Sequence, residues 1–533
     1  MSPATRCGSA AAVEGGVAAP PAQVDLVRPD GALPDTRKAT RPDGALSAAM
    51  SGGVATETRG VPHTDAGDAS GRYAVLAADW QLRGYSDRPA VLVNWRTGAT
   101  VPLSPTGAYV ARSCDGATDF TSPFFLPRHH ATLAQMLEQG MAAECATGTA
   151  LDPRQRLRTA PNRFLRFVNW GVTGRCNLRC RHCYMEAPAA RYGELPTETL
   201  FGLIDQFERA NVVRVHLTGG EALLRRDFWT IVEELLRRRI GIHQISTNGL
   251  LLDDQSLARL RELDAAPIFH FSYDGVGTHD SMRGVDGVEA AALDVIRRTA
   301  AAGFRVAVTS SLDRETRAGI LRTPEVLADA GVHTWHLDAP LPMGLWTGSD
   351  TELALDEQVA VCETILRRWL ALGRPFRVTL CRLYSGSPPN DEEWATTSPG
   401  EAADGAEPGF APGDPHCRDL LNDVAYVLPD GAFMPCLRFI GTPVQEEMPS
   451  LLDVDLSTVW EDQDLRARFT ATKAQVRERN PECAACPEFG ACGAGCWALG
   501  YAATGDRLGR DPLACVVNKS AYKRRLARIA VAP

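Results

Sequence analysis

Cys176-Asn177-Leu178-Arg179-Cys180-Arg181-His182-Cys183 places three thiols on one short loop, with gaps of three and two residues between them. Three thiolates so spaced can hold three irons of a 4Fe–4S cluster and leave the fourth iron without a protein ligand. An open iron can bind a small chelating molecule, whereas a fully ligated cluster only passes electrons. The competing reading is structural zinc. Zinc prefers four ligands in paired knuckles, which three thiols with a three-residue gap fit poorly. Trp170-Gly171-Val172-Thr173 precedes the run and Tyr184-Met185-Glu186 follows it.

Outward from this loop, strands and helices alternate with short connections from Phe167 to about Pro340. Strands are expected to begin near Phe167, Val212, Ile242, Pro267, Arg305 and His333. Helices are expected over Thr197–Ala210, Asp227–Arg239, Gln255–Leu263, Val288–Ala302 and Pro324–Ala330. Six such units predict an α/β fold whose parallel sheet curls into a partial (βα)6 barrel, with chemistry at the C-terminal ends of its strands. Three further motifs fall at those ends: Thr218-Gly219-Gly220-Glu221, Ser246-Thr247-Asn248-Gly249 and Ser272-Tyr273-Asp274-Gly275. Glycines let backbone approach a ligand closely, and a carboxylate there can accept from a ligand ammonium. Asn-Gly and Asp-Gly are also ordinary turn pairs, and that reading stays open for the last two motifs.

The carboxy-terminal region holds seven more ordered cysteines: Cys417, Cys436, Cys483, Cys486, Cys492, Cys496 and Cys515. Fifteen Cys in a chain without a secretory signal imply metal rather than disulfides. A formal charge of -9 with interspersed signs argues against nucleic acid or an anionic membrane as the main partner. A hydrophobic fraction of 44% builds a core, yet no apolar run is long enough to span a bilayer, so a cytoplasmic protein is expected.

Residues 1–70 are rich in Ala, Gly, Pro and Asp, repeat Arg-Pro-Asp-Gly-Ala-Leu, and are expected to be disordered. Residues 71–150 read as a small winged-helix-like module. A hairpin spans Ala90–Leu103, Ser104-Pro105 starts a helix, and a second helix runs to Gly140. The barrel is assigned to 160–345. A bridging helix at 352–372 and a linker occupy 346–415, and a Cys-rich domain fills 416–533.

Taken together, these motifs resemble the radical S-adenosylmethionine (SAM) enzymes that modify ribosomally made peptides. The resemblance covers about 165–530, with a weaker claim for 73–145. It implies that Cys176, Cys180 and Cys183 hold the SAM-binding 4Fe–4S cluster. It also implies that Gly219, Gly220 and Glu221 meet the methionine amino group. Ser272 would then help hold the SAM carboxylate, with Ser246 in the same pocket and Asn248 near the ribose.

The tail resembles the SPASM extension, which implies two auxiliary 4Fe–4S clusters. Cys483, Cys486, Cys492 and Cys515 would ligate one, and Cys417, Cys436 and Cys496 the other. No Cys lies in 409–416 to complete the second set, so either an iron stays open or Cys381 swings in. Cys381 is also a candidate hydrogen donor. The amino-terminal module resembles elements that grip a leader peptide by strand addition, although a plain structural cap fits it as well.

The expected activity is reductive SAM cleavage followed by hydrogen abstraction from a precursor peptide, most naturally to install an intramolecular crosslink. Epimerisation, decarboxylation and sulfatase-type Cys or Ser oxidation are the alternatives, and outside the class stands a non-catalytic electron-transfer protein. A flavodoxin or ferredoxin is the expected electron donor. His182 is expected to be a loop filler, and the His279–Gly284 segment is assigned no catalytic role. His336 and Asp338, at the end of the sixth strand, can face substrate or form a satisfied structural pair, and the pair is the expectation.

Overall fold

A computed structural model describes residues 71–85, 89–160, 165–388, 416–417, 424–469 and 471–531. The tail at 1–70 and most of the stretch from Ser385 to Pro415 lie outside these residues.

The amino-terminal module contains β1 (Tyr73–Leu76), β2 (Trp80–Tyr85), β3 (Val91–Asn94), β4 (Thr100–Pro102), β5 (Ala142–Cys145) and β6 (Arg158–Ala160). The hairpin is β3–β4, and it belongs to a four-stranded sheet ordered β4-β3-β2-β6; β1 and β5 pair separately. Ser104 caps the helix Pro105–Ser113 by accepting from Gly107 N–H at 3.0 Å, with Pro at the helix start, as the residue types demand. The second helix, Pro127–Glu138, stops before Gly140, whose φ of 66° suits a residue without Cβ.

Seven parallel strands build the barrel: β7 (Phe167–Gly171), β8 (Arg214–Thr218), β9 (Gly241–Thr247), β10 (Ile268–Ser272), β11 (Val306–Ser311), β12 (Thr334–Asp338) and β13 (Arg377–Leu380). Six of them begin where the sequence places them. The seventh, β13, falls in the stretch read as bridge and linker. It is short and pairs parallel to β12 through Thr334↔Arg377 to Leu337↔Leu380. An antiparallel strand, β14 (Tyr384–Gly386), closes that edge.

At the opposite edge β15 (Val424–Val427) adds parallel to β7, and β16 (Phe433–Met434) follows antiparallel. The Cys-rich region therefore begins as part of the barrel sheet. Cys417 precedes β15, Cys436 follows β16, and the other tail cysteines lie on or beside the short helices beyond.

The module docks on the barrel floor, where the strands start. Val91, Val93 and Trp95 share a small core with Val213, and a Cβ on Gly241 would stand 2.2 Å from the Trp95 carbonyl oxygen. Around it, Glu208 pairs with Arg154 and with Arg238, each at 2.7 Å.

Candidate active site

The three-cysteine loop leaves the end of β7 and is held from three sides. On the first side are the glycines of β8. Gly220 N–H donates to Thr173 O at 2.8 Å, and Glu221 N–H to Arg175 O at 2.8 Å. A Cβ on Gly219 would lie 2.3 Å from Thr173 O, and one on Gly220 2.2 Å from Arg175 O. These glycines thus let the cysteine loop's own backbone approach, besides facing the cavity. On the second side, Arg179 and Arg181 N–H donate to Arg283 O and Met282 O, each at 3.0 Å. On the third, Leu345 N–H donates to Cys183 O at 3.1 Å.

A cavity of about 250 Å³ opens at the strand ends, lined by Cys176, Cys180 and Cys183 together with Gly219, Gly220, Ser246, Asn248 and Ser272. Eight of the nine residues read for this site thus share one wall. Glu221 is the exception. Its side chain is fully buried, and its carboxylate accepts from Leu223 N–H at 3.1 Å, Thr247 Oγ1 at 2.9 Å and Asn248 N–H at 2.8 Å. Burial pushes its pKa up despite these donors. The carboxylate thereby ties the segment after β8 to the end of β9. Asn248 lines the cavity and also donates to Asn177 Oδ1 of the cysteine loop at 2.7 Å.

Two residues expected to be merely structural matter here. Arg283 bonds Asp274 at 2.6 Å and reaches Cys180 Sγ at 3.5 Å. Burial alone would raise the Asp274 pKa, but Arg283 and then His279 reverse it and hold the carboxylate well below its usual range. A guanidinium is thus fixed against one thiol of the loop, neutralised by its own buried partner. His182 lines the cavity, and burial, followed by Arg283, lowers its pKa to about 4, so its imidazole is neutral. The signal for Arg283 was present in the sequence as a polar segment after β10, but its partner lies far away in the chain, at Cys180.

Below the cavity the barrel interior is polar. His216 Nε2 bonds Ser246 Oγ at 2.8 Å, Gln244 Nε2 bonds His270 Nδ1 at 2.7 Å, and His270 Nε2 bonds Thr309 Oγ1 at 2.6 Å. Burial lowers His216 to about 3 and His336 to about 4. These imidazoles are therefore neutral hydrogen-bonding groups at ordinary pH, not acids.

A second cavity, of about 220 Å³, shares His182, Tyr184 and Thr309 with the first. Its own walls are mostly apolar, including Pro340, Leu341, Met343 and Leu437, with Asp338 and Arg438 also on them. Asp338 thus reaches a cavity wall, beyond the structural role expected of it. Cys381 is 2% exposed at the end of β13 and belongs to neither lining.

The tail thiols gather in two groups. Cys436 lies within electrostatic reach of Cys496 and Cys417. Cys483, Cys486, Cys492 and Cys515 line one small cavity. Burial pushes Cys176 and Cys492 up to about 11 and Cys436 to about 12, so loading a metal there must displace protons. Among the described residues no three His, Cys, Asp or Glu side chains converge on a single-ion site.

Comparison with known proteins agrees with this geometry. Residues 170–331 match the Radical SAM superfamily. The matched stretch holds the three-cysteine loop and the strand ends that line the cavity with it. It is 33% identical over 179 residues to the mycofactocin maturase MftC of Mycobacterium ulcerans, covering 33% of this chain and 48% of that protein. The match thus spans about half the length of that curated relative. An AdoMet-dependent heme synthase of Oleidesulfovibrio alaskensis is 24% identical over 356 residues, covering 65% of this chain and 86% of that protein.

Two solved structures share the fold. Streptococcus suis SuiB bound to precursor peptide SuiA superposes with a TM-score of 0.57 at 14% identity, covering 83% of this chain and 99% of that one. The enzyme anSMEcpe with bound AdoMet and Cp18Cys peptide gives 0.50 at 16% identity, covering 68% and 98%.

Proposed function

We propose that this protein is a radical SAM/SPASM maturase acting on a ribosomally made precursor peptide, most naturally joining two of its residues by an intramolecular crosslink. The observation that carries this reading is the pair of neighbouring cavities that share His182, Tyr184 and Thr309. One is walled by three thiols on a loop and glycine-rich strand ends, and the other is an apolar chamber beside it, reaching toward Cys436 and Cys496 through Leu437 and Arg438.

The residues fit a SAM-binding cluster. Cys176, Cys180 and Cys183 would hold three irons, while Gly219, Gly220, Ser246 and Ser272 would line the SAM itself. Loaded and reduced, that centre with SAM supplies methionine and a 5′-deoxyadenosyl radical able to take hydrogen from an unactivated carbon. The chain's own part is to orient and to exclude water. Gly219 and Gly220 clamp the loop, the neutral His182 and Thr309 stand on the border of the two chambers, and the apolar walls receive the target side chain. Cys417, Cys436 and Cys496, and separately Cys483, Cys486, Cys492 and Cys515, would hold two auxiliary clusters able to accept an electron.

The partners proposed are a precursor peptide and a flavodoxin- or ferredoxin-type donor, in the cytoplasm. Among the described residues no helix is long and apolar enough to cross a membrane. SuiB was captured with its precursor peptide, which supports a peptide as substrate here. For leader binding the geometry favours the second reading of the amino-terminal module. The outer hairpin edge, β4, is three residues long and ends in Pro102, which has no N–H to offer an added strand. The module's apolar seat on Val213 supports the cap reading.

Anaerobic co-expression with the short peptide-coding frames flanking the gene, followed by mass analysis in ordinary and heavy water, tests the reading. Loss of two hydrogens is the expected result. An unchanged mass in ordinary water, with deuterium retained at carbon in heavy water, would make it an epimerase.

A further inference from the structure

Three arginines each set one N–H on a cysteine sulfur, one in each thiol group. Arg283 Nη1 reaches Cys180 Sγ at 3.5 Å, Arg510 Nη1 reaches Cys515 Sγ at 3.2 Å, and Arg438 Nη1 reaches Cys496 Sγ at 3.1 Å. The first two share their charge with nearby carboxylates. Arg283 lies 2.6 Å from the fully buried Asp274, and Arg510 2.5 Å from Glu482. Arg438 differs in where it stands. It follows Cys436 and Leu437 on the chain leaving β16, and it forms part of the wall of the apolar cavity that shares His182, Tyr184 and Thr309 with the SAM cavity.

We propose that Arg438 is a positioning residue for electron transfer. Its N–H on Cys496 raises the reduction potential of the centre held by Cys417, Cys436 and Cys496, and its place on the cavity wall sets that tuned centre beside the chamber. The inference rests on the cluster assignment above.

A cationic N–H donor on a ligand sulfur draws electron density from it, which favours the more negatively charged, reduced state of the centre. In a bond-forming oxidation, a substrate carbon radical and an X–H group join with release of one proton and one electron. The proton goes to solvent, and the electron needs an acceptor adjoining the chamber where the radical sits. Arg438 adjoins it. The four-thiol group opens instead onto its own small cavity, bounded by Glu482, Glu488 and Lys519. A fixed guanidinium fork suits such a contact better than a flexible ammonium.

The test is an EPR-monitored redox titration of the fully iron-loaded chain, comparing wild type with Arg438→Gln, Arg438→Lys and Arg510→Gln. Arg438→Gln is expected to lower one midpoint potential and leave the other two in place. Arg438→Lys should give a smaller shift of the same centre, and Arg510→Gln should move a different one. An unchanged set of potentials in Arg438→Gln overturns the proposal. If that variant does not load its iron, the Lys variant decides, and unchanged potentials there overturn it equally. Wild-type protein that binds no iron beyond one cluster would instead refute the auxiliary-cluster assignment itself, and so marks the two failures apart.

Discussion

The two sets of cysteines are assembled by opposite means. Cys176, Cys180 and Cys183 lie on one loop, and the fold only has to clamp that loop, through Gly219, Gly220 and the backbone around Arg283. Cys417, Cys436 and Cys496 come from distant parts of the chain. They meet only because β15 and β16 extend the barrel sheet and later helices fold back over it. A chelate written into one loop tolerates damage elsewhere, whereas one assembled by tertiary structure does not. The same contrast holds for charge. Asp274–Arg283 beside the loop is buried, while Glu482–Arg510 beside the tail thiols has a carboxylate side chain 67% exposed.

Breaking the loop should have the largest effect. Replacing Cys176, Cys180 and Cys183 by Ala is expected to abolish 5′-deoxyadenosine formation while iron stays bound in the tail, as measured by chromatography and iron assay. The converse pair, Cys483→Ala with Cys486→Ala, should keep SAM cleavage but lose net peptide product. If that variant matures peptide at the wild-type rate, the tail is only structural and the contrast collapses.

The buried ion pair comes next. Arg283→Gln leaves Asp274 buried without its cation and is expected to cost about 3–5 kcal/mol, read from the urea midpoint. Acid should then destabilise the barrel. His182 and His336 are held neutral in the fold with values near 4, against an ordinary 6.5. The unfolded chain therefore takes up protons that the fold refuses. Their contribution is complete above about pH 6.5 and is lost as the pH falls toward about 4. Urea midpoints measured across that window check the sign. Smallest of all is Glu482→Gln, where an exposed pair is worth about 0–1 kcal/mol, and its midpoint should barely move.

Much of the barrel could be read directly, because buried parallel strands and amphipathic helices carry their period locally. Strands start at Phe167, Arg214 and Gly241 near where residue type alone puts them. The strand Arg377–Leu380 was hidden because four residues carry no periodicity and its pairing with Thr334–Leu337 is non-local. The same limit explains the site. Spacing found the thiols, since cluster loops are local, but it could not show that Glu221 turns inward to Thr247 and Asn248. Nor could it show that Arg283 crosses to Cys180, that His182 lines both cavities, or that Arg438 touches Cys496. Each of these depends on partners brought together only by the barrel.

The central claim is that the Cys176–Cys183 loop holds an open-iron cluster that binds SAM. It is tested most directly by titrating SAM calorimetrically into the reduced, iron-loaded protein while assaying for 5′-deoxyadenosine. Saturable binding with 5′-deoxyadenosine released, both lost in the triple Cys→Ala variant, is the predicted result. A fully loaded, reduced protein that binds no SAM would contradict it and leave an iron–sulfur protein that only carries electrons.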